Sequence, residues 1–266
     1  MAQRLVQFTH ILILASLCVS PRASAAESER EGALHGFPVL LDLNGNKLAD
    51  GDFSQFLEGE LLRIKLTYAF RDGRRVEELS ELRQKPELTQ EKWSWRESRG
   101  DETLRRFQID FAAGKAMAEK REGGAQKSWS EEVKIEPGRT FAGFGFVLAI
   151  KERRAKLLGG AHDEIKTIGF TPKPHALAVD VSYVGLEQMA MGGRIVRGDR
   201  FLLRPKIPRI VKVFVKIPDY SVWLANPPPA GFLRMEGALM EPSDPLIRID
   251  LMGGGKSGPS VAVKRP

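Results

Sequence analysis

Short segments of alternating apolar and polar residues, separated by turn residues, make up most of the chain after residue 38. In residues 61–68 the apolar positions recur every second residue, the period of a half-buried β-strand. The pair Asp72-Gly73 that follows is a strong hairpin signal, because glycine adopts positive φ at little cost. Further predicted strands, bounded by turn residues, lie at residues 76–83, 91–97, 106–111, 116–120, 127–135, 164–170, 175–183, 195–204, 211–217, 221–224, 232–239 and 246–251. The pattern predicts about twelve antiparallel strands in a meander.

One stretch in the middle of the chain follows a different period. Residues 141–158 contain no proline, and their apolar residues fall at helical spacing. Thr140 precedes the stretch as a candidate N-cap, and Gly159 follows it as a candidate C-terminal glycine. The stretch predicts one amphipathic helix whose outer end is basic, with Lys151, Arg153, Arg154 and Lys156.

The number of predicted strands bears on the overall architecture. A flat open sheet of that size would expose two faces and two edges, so we expect the sheet to curl. The predicted fold is therefore mainly β: a curved antiparallel sheet or partial barrel, with the mid-chain helix packed against its concave side. Residues 26–252 are predicted to form this single domain. Residues 253–266 are rich in glycine, lack periodicity and are expected to be a flexible tail.

The first 25 residues carry the pattern of an export signal. Arg4 gives a positive start, residues 11–19 form a short apolar run, and Ala23-Ser24-Ala25 supplies the small residues of a cleavage site. The run is shorter than the roughly 20 residues needed to cross a bilayer core. We therefore predict a signal peptide over residues 1–25, cleaved after Ala25. No later apolar stretch approaches that length, so we expect no transmembrane span in the mature chain.

Charge and cysteine content narrow the classes of function. The chain has 41 basic and 34 acidic residues, and its basic residues are spread along it, so nucleic acid is not an expected partner. Cleavage removes the single cysteine, Cys18, which excludes disulfides and thiolate metal sites from the mature chain. The basic stretch Lys206, Arg209, Lys212 and Lys216 suits contact with anionic lipid, but protection of a sheet edge is the favoured interpretation.

No motif predicts a metal, a cofactor or a catalytic residue. Residues 42–52 resemble a calcium-binding loop, but such a loop places glycine sixth and glutamate twelfth, where this chain has Lys47 and Phe53. A hairpin turning at Asn44-Gly45 is the favoured interpretation. The histidines of the mature chain also lack the spacing of metal ligands: His35, His162 and His175.

Aromatic residues are the candidate ligand-binding positions. Trp93 and Trp95 are two apart on a predicted strand, so both side chains project from one face. They suit an aromatic platform for a ligand, but a core pair packed against the helix is the favoured interpretation. Phe141, Phe144 and Phe146 have the same two interpretations. If the barrel is open these residues line its cavity, and if it is filled they form its core.

Two short stretches carry a resemblance to known proteins. Residues 106–115, and residues 222–224 continuing through 229–234, resemble an uncharacterised group of exported β-rich proteins from Gram-negative bacteria. Related groups are similar to the lipoprotein-carrier fold, an unclosed antiparallel barrel with helices over its mouth. The resemblance implies a periplasmic location and a half-barrel, and it assigns no site residue.

The sequence therefore leaves three hypotheses for function. The first is a periplasmic, non-enzymatic binding or carrier protein for an apolar or acylated ligand such as a lipid. The alternative is an envelope scaffold that meets a partner protein through a sheet edge or through the proline loop at residues 227–229. An enzyme is the third, and no catalytic constellation supports it.

Overall fold

The computed structural model describes residues 31–206, residues 217–251 and the backbone of residues 261–262. The predicted signal peptide and most of the predicted strand at residues 211–217 lie outside this part of the chain. Within it the chain forms sixteen strands and one helix, with the following bounds. They are β1 (Leu34–Gly36), β2 (Val39–Asp42), β3 (Lys47–Glu58), β4 (Leu61–Phe70), β5 (Arg74–Arg83), β6 (Thr89–Arg99), β7 (Glu102–Asp110), β8 (Lys115–Glu122), β9 (Ala125–Glu132), α1 (Gly145–Leu158), β10 (Asp163–Phe170), β11 (Pro174–Met191), β12 (Arg194–Pro205), β13 (Tyr220–Ala225), β14 (Phe232–Ala238), β15 (Leu246–Asp250) and β16 (Val261–Ala262).

All the described strands belong to one antiparallel sheet. Its main path runs β10-β11-β12-β13-β14-β15-β2-β3-β4-β5-β6-β7-β8-β9. Neighbours on this path are consecutive in the chain except at β15 and β2. There the C-terminal meander (β10 to β15) joins the N-terminal meander (β2 to β9). The short β1 pairs with β3, and β16 pairs with β11. The predicted antiparallel meander is confirmed. Residues 261–262, expected in the flexible tail, pair with Glu187 and Gln188 of β11.

The sheet curves without closing into a barrel. Its two ends are β9 and β10, and the segment that connects them carries α1. The ends approach each other, since Lys173 Nζ lies 3.3 Å from the Glu131 carboxylate. Thr140, in the connecting segment, forms a parallel bridge with Lys166 and covers part of the edge of β10. The predicted curved sheet with one mid-chain helix is confirmed.

The helix begins later than the sequence predicts. It starts at Gly145, because Gly143 takes a left-handed φ of +52° that helical backbone does not allow. The assignment of Thr140 as N-cap is wrong: its hydroxyl accepts a hydrogen bond from the Glu136 backbone N–H at 2.9 Å instead. At the other end the left-handed residue is Gly160, with φ +86°, rather than Gly159.

The helix lies between the two meanders on the concave side of the sheet. Leu148 and Ala149 join the core formed mainly by the N-terminal strands. Val147, Ile150 and Leu157 join the core of the C-terminal strands. Its basic side chains pair with acids of the domain, Arg154 with Asp199, Arg153 with Asp163 and Lys151 with Glu31. The end predicted to be a basic outer surface therefore anchors the helix to its surroundings.

Two further predictions concern single hairpins. The β2–β3 connection is the expected tight turn, with Gly45 at φ +86°. Both Asp42 carboxylate oxygens accept hydrogen bonds from Asn46 at 2.8 Å, which lowers the pKa of Asp42. By contrast β11 continues to Met191, well beyond the predicted strand at 175–183. A register shift at Tyr183/Gly185 interrupts its alternation and conceals the second half from a period-two search.

Candidate functional site

A cavity of about 220 Å³ lies between the concave faces of the two meanders and the start of α1. Strands β4 to β6 contribute one wall, and strands β10 to β14 contribute the opposite wall. Most lining side chains are aliphatic or aromatic, because each strand directs every second residue inward and those positions are apolar. An apolar concavity with few polar groups is the usual form of a small-molecule site.

Four of the five aromatic residues singled out from the sequence line this cavity: Trp93, Trp95, Phe144 and Phe146. Phe141 does not. It is fully buried behind the wall, its backbone N–H donates to the Lys166 carbonyl at 2.9 Å, and its ring packs beneath the Arg153 guanidinium. Phe141 precedes the turn at Gly143, so it belongs to the segment that pairs with β10.

The two tryptophans are core residues and cavity wall at once. Each is 3% exposed, and both belong to the main hydrophobic core. The Trp93 ring stacks on Phe170 with centroids 6.1 Å apart, and the Trp95 ring contacts Phe107 at 5.6 Å. The core interpretation and the platform interpretation therefore describe the same side chains, seen from the packed side and from the cavity side.

The cavity has a more exposed side. Thr171, in the turn between β10 and β11, and His175, near the start of β11, are exposed lining residues, and Leu177 beside them is half-buried. Pro205 at the end of β12 and Ile217 line the same region and are also half-buried. This end of the C-terminal meander is where a molecule in solution meets the lining.

The loop between β14 and β15 closes another side. Met240 and Pro242 from this loop line the cavity and are half-buried. Ion pairs hold the loop against the N-terminal meander: Arg105 Nη1 lies 2.8 Å from Asp244, and Lys120 pairs with Glu241. The loop thus bridges the two meanders over the cavity.

One acidic residue, Glu78, reaches the cavity lining from β5. The Trp93 indole N–H donates to its Oε1 at 3.1 Å, and the Phe144 backbone N–H donates to the same oxygen at 2.7 Å. Burial raises the pKa of Glu78, and these two hydrogen bonds oppose the rise. Among the described residues no cation pairs with this carboxyl group.

Tyr68 lines the cavity beside Glu78. It lies on β4 opposite Val76, two residues from Glu78 on the same inward face. Its hydroxyl is buried and has no hydrogen-bond partner in the structure. Burial, together with the nearby Glu78, raises the pKa of Tyr68 well above its ordinary value. An unpartnered buried hydroxyl costs roughly 1–3 kcal/mol, so this side chain is unusual in a folded domain.

Backbone groups just before α1 are held by side chains of β5 and β6. Gln90 Oε1 accepts from the Ala142 N–H at 2.7 Å, as Glu78 does from Phe144. Gly143 lies between them, and a β-carbon at this position would overlap Glu78 Oε1 and the Trp93 indole nitrogen. The glycine therefore allows the backbone to approach the carboxyl group.

Sequence reasoning missed Tyr68, Glu78 and Gln90 as site residues. It did predict that Glu77 and Glu78 point to opposite faces, and the structure places Glu77 outside, 3.3 Å from Lys65, and Glu78 inside. The sequence signal that could have identified Glu78 is its position in the alternation of β5. It occupies an inward position, like Val76, Ser80 and Leu82. A charged residue in the apolar phase of a strand marks a candidate site.

Searches for metal sites and membrane-spanning helices in the described residues, and comparisons with known proteins, give no further candidate site. The described part of the chain contains no group of three or more His, Cys, Asp or Glu residues placed to hold a metal ion. Within the same ranges no helix is both long and apolar enough to cross a membrane. Comparison with protein-family models, with curated proteins and with solved structures finds no match to this chain. The resemblance to exported β-rich proteins therefore stays a prediction, and the site must be interpreted from its own geometry.

Proposed function

We propose that this chain is an exported, periplasmic, non-enzymatic binding or carrier protein for an apolar or acylated ligand. The observation that carries the proposal is the cavity of about 220 Å³ lined by both meanders. Protein interiors are normally packed with few voids larger than a water molecule. An apolar cavity of about 150 Å³ is known to bind benzene, so this one has room for a larger apolar molecule.

Two features of the structure support a binding role. The wall includes Trp93, Trp95 and Phe144, whose flat apolar faces suit hydrocarbon. The lining is exposed near Thr171 and His175, which gives a ligand a route from solvent. Location rests on the predicted signal over residues 1–25, and the mass of the mature protein recovered from the periplasm would test it.

The deciding experiment is chemical extraction. The protein is produced with its own signal, purified, denatured and extracted with organic solvent, and the extract is analysed by mass spectrometry. We expect a specific small apolar compound at a substantial fraction of the protein concentration. The variant Leu177→Trp should reduce it, because Leu177 is a half-buried lining residue near the exposed side and indole is larger.

Leu79→Trp is the matched control, since it makes the same change at an exposed position on the outer face of β5. It should retain the compound. An empty extract from folded protein, together with no binding of added apolar compounds, would reject the carrier function.

The second candidate, an envelope scaffold, has one observation in its favour. Strand β9 pairs with β8 on one side and, within the described ranges, with no strand on the other. Most of its residues are exposed, and an exposed edge can accept a strand from a partner. An empty cavity would make this edge, rather than the cavity, the place to search for function.

A further inference from the structure

The buried acidic residues of this domain follow one rule with one exception. Six carboxyl groups are buried in the described residues, and five of them pair with an arginine or lysine of the domain: Glu97, Glu187, Asp199, Glu241 and Asp250. The sixth is Glu78, for which no ion pair is recorded among the described residues. Burying a carboxylate without a cation is costly, so this exception calls for a physical explanation.

Part of the explanation is structural, since Glu78 helps to hold the backbone before α1. That role occupies only Oε1, which accepts from both the Trp93 indole and the Phe144 N–H. Gln90 performs the same task for Ala142 with a neutral amide, so holding this backbone does not require a charge. The choice of a carboxyl group at position 78 therefore needs a second reason.

The surroundings of Glu78 suit the binding of a cation. The carboxyl group faces a cavity whose wall near it is aromatic, with Trp93, Trp95 and Phe144 in the lining. Aromatic faces attract cations, and they do so more strongly when water is excluded. The Tyr68 hydroxyl lies on the same wall without a partner and can accept a hydrogen bond through its oxygen. An ammonium group donates three hydrogen bonds and carries the missing charge.

We propose that the cavity binds an apolar molecule bearing an amine, with the ammonium group held by Glu78 and Tyr68 and the hydrocarbon against the aromatic wall. This inference rests on the proposed carrier function and specifies the chemical class of its ligand. A carboxylate ligand would place a second negative charge beside Glu78. A hydroxyl ligand can make both hydrogen bonds but leaves the charge of Glu78 uncompensated.

The test compares three probes of equal chain length: octylamine, 1-octanol and octanoate. Binding is measured by isothermal titration calorimetry at neutral pH, where the amine is protonated and the acid is ionised. We expect octylamine to bind at least about tenfold more tightly than either of the others. The ranking in the unmodified protein tests the inference without depending on the folding of any variant.

Variants then test whether Glu78 and Tyr68 cause the preference for octylamine. Glu78→Gln keeps an Oε1 acceptor and removes the charge, and we expect it to reduce the preference for octylamine to less than about threefold. Tyr68→Phe should weaken octylamine binding by about three- to tenfold. Glu77→Gln removes the same charge from the outer face of the same strand and should leave the preference unchanged.

Failure of the inference and failure of the proposed function look different. If 1-octanol or octanoate binds at least as tightly as octylamine, the amine inference is wrong and the carrier function stands. The same holds if a compound without a basic nitrogen co-purifies while none of the probes binds. If no probe binds and the organic extract is empty, the carrier function itself is rejected. A preference for octylamine that persists in Glu78→Gln overturns the assignment of Glu78.

Discussion

A buried carboxyl group lies in the cavity lining and others lie on the outer face of the C-terminal strands, but of these only the outer ones pair with a cation of the described residues. There, Arg234 forms two hydrogen bonds with Asp250 at 2.6 and 3.1 Å. The neighbouring Trp223 indole donates to Glu187 at 2.8 Å, and Arg200 pairs with the same carboxylate. We call this set the outer ion-pair cluster: Glu187, Arg200, Trp223, Arg234 and Asp250.

The cavity wall contains the same kind of indole–carboxylate contact without the arginines. The Trp93 indole donates to Glu78 as the Trp223 indole donates to Glu187, but among the described residues no cation pairs with Glu78. In the described residues every buried carboxyl group except Glu78 has an ion pair. A buried polar group left incomplete beside an empty space is therefore informative about function, whereas a complete one is informative about the fold.

The largest expected effect comes from breaking the outer ion-pair cluster. Arg234→Ala removes both short hydrogen bonds to buried Asp250, which keeps only the Arg248 Nε at 3.4 Å, and it also removes the cation over the Trp223 ring. We expect a loss of about 3–5 kcal/mol in the free energy of unfolding. Urea denaturation measures it. Arg204→Ala is the control, because its pair with Asp219 at 3.2 Å is exposed and should be worth less than about 1 kcal/mol. Equal losses for the two variants would contradict the contrast between buried and exposed pairs.

A smaller effect is expected where the backbone approaches Glu78. Gly143→Ala requires a left-handed alanine, costing about 1–2 kcal/mol, and its β-carbon also overlaps the carboxyl group, adding roughly 1–3 kcal/mol. Gly73→Ala is the matched control, with a φ of +82° and open space around the added carbon. The difference between the two unfolding free energies isolates the contact with Glu78. No difference would mean that the approach is not a constraint.

The same contrast can be tested on two tyrosine hydroxyl groups, one with a carboxylate partner and one without. Tyr183→Phe removes a hydroxyl that donates to Asp199 at 3.3 Å, and we expect it to lose about 1 kcal/mol of stability. Tyr68→Phe removes a buried hydroxyl without a partner, so in ligand-free protein it should be neutral or stabilising by up to about 1 kcal/mol. Thermal and urea unfolding of both variants provide the measurement. A clear loss for Tyr68→Phe would show that its hydroxyl contributes to the free fold.

The smallest expected effect is a trend with pH. Burial raises the pKa of Glu78 above its ordinary value of 4.5, so the folded state holds the proton more tightly than the unfolded state. Its stabilising contribution is present below pH 4.5 and is lost as the pH rises through the folded-state pKa. Tyr68, the titratable neighbour, has its pKa raised above 10.0 and stays protonated in this range.

Glu78→Gln does not titrate, so its stability relative to the unmodified protein should improve as the pH rises above 4.5. Urea denaturation at several pH values measures the trend, and Glu77→Gln on the outer face shows whether the trend is specific to position 78. A constant difference across this range would contradict the shift.

Much of the fold was predictable because it depends on local patterns. Alternation in residues 61–68 and 106–111 predicted β4 and the second half of β7, since inward positions in a sheet must be apolar. The hairpin signal at Asp72-Gly73 predicted the return strand β5. The start of α1 was not predictable in this way. Gly143 reverses the backbone only because Glu78 and Gln90, more than fifty residues earlier, hold the groups on either side of it.

The candidate site likewise contains residues that the sequence could identify and residues that it could not. Large aromatic residues are easy to identify in a sequence, and four of those singled out line the cavity: Trp93, Trp95, Phe144 and Phe146. Phe141 was singled out for the same reason, but it lies buried behind the cavity wall. Tyr68 and Glu78 share an inward face through cross-strand register, which no local pattern reports.

The sequence by itself determined the mainly β class, the antiparallel meander and the presence of one mid-chain helix, because each depends on the period of nearby residues. Only the tertiary structure decided that β15 pairs with β2 and that the helix connects the two ends of an unclosed sheet. It also decided that one buried carboxyl group faces a cavity instead of an arginine. These features follow from contacts between residues far apart in the chain, where the energy of packing and of charge burial outweighs local preference.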